Sequence, residues 1–346
     1  LIQKNLSFIV VYLMINLLYA QSGTDIIISS LDKIEQNKDF NGIVLIAKDG
    51  NPILTRSIGY ANFEESIPVD LNTPIHIASI SKSFTTMALF ILQERGLLDF
   101  NDKVFKYIPD FPYQKITIRQ LMTSSSGPKR LYNKAVDDNN VVTITSMMGY
   151  FETVQPKLAF TPGDEFLSSV AGYTVLAAVI EKVTSESFEQ FLIKEIFKPL
   201  QFENTFLLSL ANKEYPRALN YSNNEKPKDW FAGSYPGGVS IYSSASDLLK
   251  WDQALYTNKL ISYKLLDQYF EKIKMNDGSA SNLTLGSWMY WKGNENQIFK
   301  NGQWVANSST LWRDTKTRTT VIILTNKENK VSKFDLMDMI LPALGY

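Results

Sequence analysis

Residues 76–99 read HIASISKSFTTMALFILQERGLLD. Ser79, Ser81, Lys82 and Ser83 crowd the start, and a mainly apolar run follows until Gly96. The apolar spacing predicts a buried helix from about Ser79 to Arg95. Small polar residues at a helix start ordinarily act as caps. Ser79 and Lys82 also admit a chemical reading. Three residues apart on a helix, their side chains share one face, about 5–6 Å apart at Cβ. A neutral lysine amine there can take the serine proton and create a nucleophile without histidine. Backbone N–H groups at the helix start suit a developing oxyanion.

Composition narrows the chemistry around this stretch. The 346 residues carry 35 Lys+Arg and 35 Asp+Glu, so no basic excess points to nucleic acid. Hydrophobic residues make up 45% and aromatics 12%, which argues for a globular chain. There is no cysteine and one histidine, His76. A thiol nucleophile, a disulfide framework, and zinc sites built on cysteine or several histidines are therefore excluded. Ser-His-Asp chemistry would have to pass through His76. We read His76 instead as a packed residue at a strand end. No cofactor is expected.

Upstream, Lys4 precedes the apolar run LSFIVVYLMINLLYA (6–20). At about 15 residues it is short for a bilayer span and reads as an export signal over 1–20, cleaved between Ala20 and Gln21. The expectation is a mature chain of 21–346, periplasmic or secreted, with no stable membrane span. TDIIISSLDKIEQNKD (24–39) has helical spacing. GIVLIAKDGNPILTRSIGYAN (42–62) reads as a hairpin about Asp49-Gly50. The middle third is mainly helical. Strand-like runs return at LTLGSWMYW (283–291), NQIFKNG (296–302), SSTLWRD (308–314) and TRTTVIILTN (317–326), before a closing helix, KFDLMDMILPAL (333–344). Strands in runs at both ends predict an α+β fold. One antiparallel sheet would come from the N- and C-terminal strands, about 21–110 and 236–346, flanked by helices. A mainly helical subdomain, about 111–235, would be inserted between them.

S-x-x-K occurs three times, as Ser30/Lys33, Ser79/Lys82 and Ser126/Lys129. Only Ser79/Lys82 opens an apolar helix after an extended segment, NTPIHIAS (72–79). Together with the opening hairpin, ITIRQLMTSSSG (116–127), TPGDEFLSSVAGYTVLAAVIEKV (161–183), GGVSIYSSASDLLKWDQAL (237–255) and FKNGQWVANSSTLWRD (299–314), this region resembles the serine β-lactamase and penicillin-binding superfamily. The likeness is to its class C β-lactamase-like, D,D-peptidase and esterase branch, and covers nearly all of the chain beyond residue 20.

The resemblance implies a β-lactamase-like fold, with Ser79 as acylated nucleophile and Lys82 as its base. Lys300-Asn301-Gly302 stands where the family has its third motif. Lys300 would meet a substrate carboxylate or tune Lys82. Gly302 would let substrate lie close to the strand, and the Gln303 N–H would join that of Ser79 in an oxyanion hole. Trp304 would form a wall. Three positions depart from the family pattern: Ser168 fills the second-motif tyrosine slot, Val170 the asparagine slot, and Ser124 a place that usually holds histidine. Tyr173, five positions on from Ser168, would lie roughly 140° around a helix and is not expected to replace the tyrosine. Two readings remain open. One is an exported serine hydrolase acting on an ester, a β-lactam or a D-Ala-type amide. The other is a non-catalytic relative that binds peptidoglycan or a partner. The expected partner is a small-molecule or peptide substrate, a peptidoglycan-derived compound among the candidates, and no nucleic acid.

Overall fold

The computed structural model describes residues 23–127, 141–222 and 235–346. The expected signal segment and Lys129 lie outside them. After a helix α1 over 23–36, β1 (Gly42–Lys48) and β2 (Asn51–Ile58) form the hairpin. Its turn residues Asp49 and Gly50 have φ of 48° and 76°, the two positive values that a tight turn between twisted strands requires. A short ribbon, β3 (Tyr60–Asn62) and β4 (Ile67–Pro68), leads to β5 (Ile75–His76) and helix α2 (Ser81–Glu94). The middle of the chain supplies α3 (Ile118–Met122), α4 (Ile144–Val154), α5 (Val170–Thr184) and α6 (Phe188–Leu192). Directly after α6 the chain turns π-helical at Ile193–Phe197, before Pro199. Strands β6 (Phe206–Leu207) and β7 (Ile241–Ser243) join β5 in a small sheet, and α7 (Ala245–Ala254) and α8 (Tyr263–Tyr269) follow.

The C-terminal strands are β8 (Lys272–Lys274), β9 (Ala280–Thr284), β10 (Met289–Tyr290), β11 (Gln297–Trp304), β12 (Asn307–Asp314) and β13 (Thr319–Thr325), and α9 (Lys333–Ala343) closes the chain. The main sheet runs β2-β1-β13-β12-β11-β10-β9-β8. Its pairings are antiparallel, and β1 against β13 joins the two ends of the chain. The fold is therefore the α+β arrangement expected from the strand runs.

The period of two along β1 divides the core. Val44 and Ile46 pack with Trp312, Val321 and Ile323 under α1 and α9, where Ile27, Leu31, Leu336 and Ile340 are buried. Ile43, Leu45 and Ala47 face the other way, toward α2, α5 and α7. Helix α2 is buried at every residue from Ser81 to Leu92, as a helix in the middle of a core must be. The buried ion pair of Asp252 on α7 with Arg313 on β12, N···O 2.9 Å, fixes that helix to the sheet.

Candidate active site

The serine cluster does not cap the helix. Ser79 lies in a 3-10 turn, Ala78–Ile80, that runs into α2, and neither element has a side-chain cap bond. Ser81 Oγ accepts from the Ile241 N–H at 3.2 Å, tying the helix start to β7. Ser83 Oγ donates to the Ile80 carbonyl at 2.7 Å. The half-buried Ser79 hydroxyl takes no hydrogen bond among the described residues. Ala78, just before it, has φ of 47°, a left-handed conformation that costs an alanine about 1 kcal/mol or more.

Lys82, 3% exposed, donates from Nζ to Ser168 Oγ at 3.1 Å. Ser168 precedes α5 rather than sitting on it: Ser169 is the N-cap and accepts from the Gly172 N–H at 3.1 Å. Ser168 and Tyr173 therefore do not share one helix, and the roughly 140° between them on a helical wheel does not apply. The Tyr173 ring lies against the end of the Lys82 side chain, 5.1 Å from centroid to Nζ. Its hydroxyl, however, donates to the Met122 carbonyl at 2.6 Å. Burial raises the pKa of Tyr173, a side-chain contact from Ser287 opposing. A neutral phenol turned toward Met122 is not a tyrosinate base. Ser124, with φ of 55°, accepts through its carbonyl from the Leu167 N–H at 2.8 Å, and so fixes the chain next to Ser168.

Lys300, on β11, is 7% exposed, and its Nζ donates to both the carbonyl and the hydroxyl of Ser287, the latter at 2.5 Å. Ser287 itself is buried, with φ of 71°. Burial holds the Lys300 pKa well below the ordinary lysine value, and repulsion from Lys82 lowers it further. Two cations that repel each other make it costly for both to stay charged.

Gly302 brings β11 close onto the turn that carries Ser79. A Cβ there would sit 2.2 Å from the Ile77 carbonyl oxygen and 3.1 Å from Ala78 Cβ. The glycine thus serves the approach of strand to turn. Beside it, Gln303 pairs with Ser308 across the β11–β12 hairpin. The Ser308 N–H and C=O are both taken by Thr325 Oγ1 of β13, each at 3.1 Å. Main-chain groups alternate sides along an antiparallel strand, so the Gln303 N–H points to the opposite edge. Strand β10 covers that edge only at Ile298 and Phe299. The Gln303 N–H therefore faces an unpaired edge next to the Ser79 turn.

His76 is packed. Its Nε2 contacts the Val239 carbonyl, and burial lowers its pKa to about 4, the backbone contact opposing. Trp288, Trp291 and Trp312 belong to the core, while Trp304 is half-buried with its ring 5.8 Å from that of Tyr235. Ser30 bonds the Ile26 carbonyl on an exposed helix face. A groove of about 800 Å³ lined by Asp70, Glu203, Tyr215 and Arg217 contains none of the site residues. Sequence reasoning missed Ser287 and did not foresee that the Tyr173 ring lies against Lys82. Neither stands at a spacing that links it to Lys82 or Lys300. The contact depends on how α5 and the β9–β10 turn meet α2.

The chain belongs to the Beta-lactamase family, whose model matches residues 31–341. It is 29% identical over 331 residues to Penicillin-binding protein 4* of Bacillus subtilis (strain 168), covering 86% of this chain and 70% of that one. Over 253 residues it is 30% identical to the Putative penicillin-binding protein PbpX of the same organism, covering 71% of this chain and 61% of that one. The structure of FmtA from Staphylococcus aureus superposes with a TM-score of 0.77 at 23% identity, covering 91% of this chain and 88% of that one. At that identity the likeness shows the fold.

Proposed function

We propose that this chain is an exported serine hydrolase that acts through an acyl-enzyme at Ser79. One observation carries the reading: the Ser79 hydroxyl, which takes no hydrogen bond among the described residues, stands on a strained turn three residues before Lys82, whose Nζ donates to Ser168. Ser79 Oγ adds to a carbonyl carbon, and its proton passes to neutral Lys82. The negative charge that forms on the carbonyl oxygen faces the N–H groups of Ser79 and Gln303. The bond to the leaving oxygen or nitrogen then breaks as the proton passes from Lys82 through Ser168 to the leaving atom. Water repeats the sequence on the ester and frees Ser79. The substrate is an ester, a β-lactam or a D-Ala-type amide. The names of the penicillin-binding relatives favour a peptidoglycan-derived compound. The apolar segment 6–20 supports export to the periplasm or medium.

A second reading, a non-catalytic peptidoglycan- or partner-binding protein, is favoured by the second motif. Ser168 is short, and the Tyr173 hydroxyl is committed to Met122. Intact mass after exposure to p-nitrophenyl acetate and to a penicillin separates the two readings. We expect one acyl or penicilloyl group on the wild type and none on Ser79→Ala. Lys82→Ala should acylate about 10²–10⁴-fold more slowly. No adduct with either reagent would overturn the hydrolase reading and leave the binder.

A further inference from the structure

A buried lysine that contributes nothing to the nucleophile lies behind the oxyanion strand. Lys333, the first residue of α9, is 3% exposed. Its Nζ donates to the Gly302 carbonyl at 2.7 Å and to the Ser309 carbonyl at 3.2 Å. Helix α9 packs on the sheet face that carries Trp312 and Val321, while the Cα of Gly302 meets Ile77 on the other face. Lys333 therefore does not reach the reacting atoms.

It does reach the peptide group that serves them. The Gly302 C=O and the Gln303 N–H belong to one planar trans peptide, so they point opposite ways. The carbonyl points toward β12 and Lys333, and the N–H toward the uncovered edge beside Ser79. A cation on a peptide oxygen draws electron density from its nitrogen and strengthens the N–H as a donor. The same bond fixes the plane of the peptide and hence the aim of the N–H. Burying a lysine is costly, and the two carbonyls are what receive this one.

On the serine-hydrolase reading above, we infer that Lys333 is a positioning residue for the oxyanion hole, orienting and polarising the Gln303 N–H through the Gly302 carbonyl. The depression of its pKa to about 8, caused by burial, fits an ammonium held by carbonyl dipoles with no counter-charge.

The test compares wild type with Lys333→Met, which removes the charge and keeps the length. Two quantities are read: the rate of acylation by p-nitrophenyl acetate, and the affinity for phenylboronic acid. The boronic acid takes up Ser79 Oγ as a fourth ligand, its proton passing to Lys82, and so leaves a tetrahedral anion in the hole. We expect the acylation rate and the boronate affinity each to fall about 10-fold, less than the 10²–10³ of losing a whole oxyanion donor. KM should stay near wild type, because the effect belongs to the transition-state charge.

The chain has no cysteine, so Lys333→Cys offers a unique thiol. Alkylated in denaturant with 2-bromoethylamine and refolded, it regains an ammonium and should recover the rate. Alkylation to a neutral hydroxyethyl group should not restore it. Values for Lys333→Met within twofold of wild type, or equal recovery by the neutral group, overturn the inference. Failure of every uncharged variant to fold would assign Lys333 to stability alone and overturn it as well. A wild type that neither acylates nor binds boronate sinks the hydrolase reading, and the inference falls with it.

Discussion

At the scale of the residue, three serines within five positions have three different fates. Ser81 and Ser83 satisfy backbone groups, and Ser79 is left to react. On the proposed hydrolase reading, Ser168 is the residue whose chemistry would most limit turnover. Its hydroxyl takes the Lys82 hydrogen bond, yet it is shorter than a phenol and reaches less far toward a leaving atom. Any penicilloyl adduct on Ser79 should therefore persist, while acylation by activated esters suffers least. Ser168→Tyr should shorten the adduct lifetime by about 10²-fold, the usual worth of a general acid–base group. Adduct decay followed by mass spectrometry reads this directly. If the wild type already turns over a β-lactam briskly and Ser168→Tyr adds nothing, the relay runs through another group.

Between elements, the critical contact is β11 against the 3-10 turn that carries Ser79. The turn closes on the strand because Gly302 has no side chain. Gly302→Ala would bring a methyl group to 2.2 Å from the Ile77 carbonyl. Strand and turn must then separate, at a cost of about 1–3 kcal/mol. The Gln303 N–H moves with the strand. We expect acylation by p-nitrophenyl acetate to drop by more than 10-fold, with a melting temperature lower by several degrees. An unchanged rate in a folded Gly302→Ala would mean that this spacing does not govern the site. The sequence marked Gly302 as part of a motif, but it placed the close approach on the substrate side. The structure puts it on the protein side.

For the whole molecule, the single histidine predicts a pH dependence of stability. Burial holds His76 neutral, with its pKa near 4 against 6.5 for the free side chain. Between those values the unfolded chain binds a proton that the folded chain does not. Stability is thus full above about pH 6.5 and falls as the pH drops toward 4, by on the order of 3 kcal/mol. Below 4 both states are protonated and this contribution is spent. Urea unfolding at pH 7, 6 and 5 should show the decline, and His76→Gln should flatten it over that range. An equal decline in His76→Gln would assign the effect to carboxylates.

Sequence alone determined the sheet and its two ends, because apolar, β-branched runs bounded by turn residues and an Asp-Gly turn carry their own local signal. Val44/Ile46 and Ile43/Leu45 divide between two cores on period alone. Local pattern also singled out Ser79 with Lys82, since the pair lies within one turn of chain. It could not supply the partners that arrive from elsewhere. Ser287 lies 13 residues before Lys300, and Lys333 lies 31 residues after Gly302. Neither distance is a spacing that a helix or a strand fixes. Their contacts follow from how the β9–β10 turn and α9 pack on a sheet completed by β1. The meeting of Tyr173 with Lys82 has the same origin: where α5 begins is set by the Ser169 cap, and what the Tyr173 ring touches is set by α2. Hydrogen bonds within a turn are written in the order of residues. The charges and carbonyls that tune the nucleophile are brought together only when distant segments share one core.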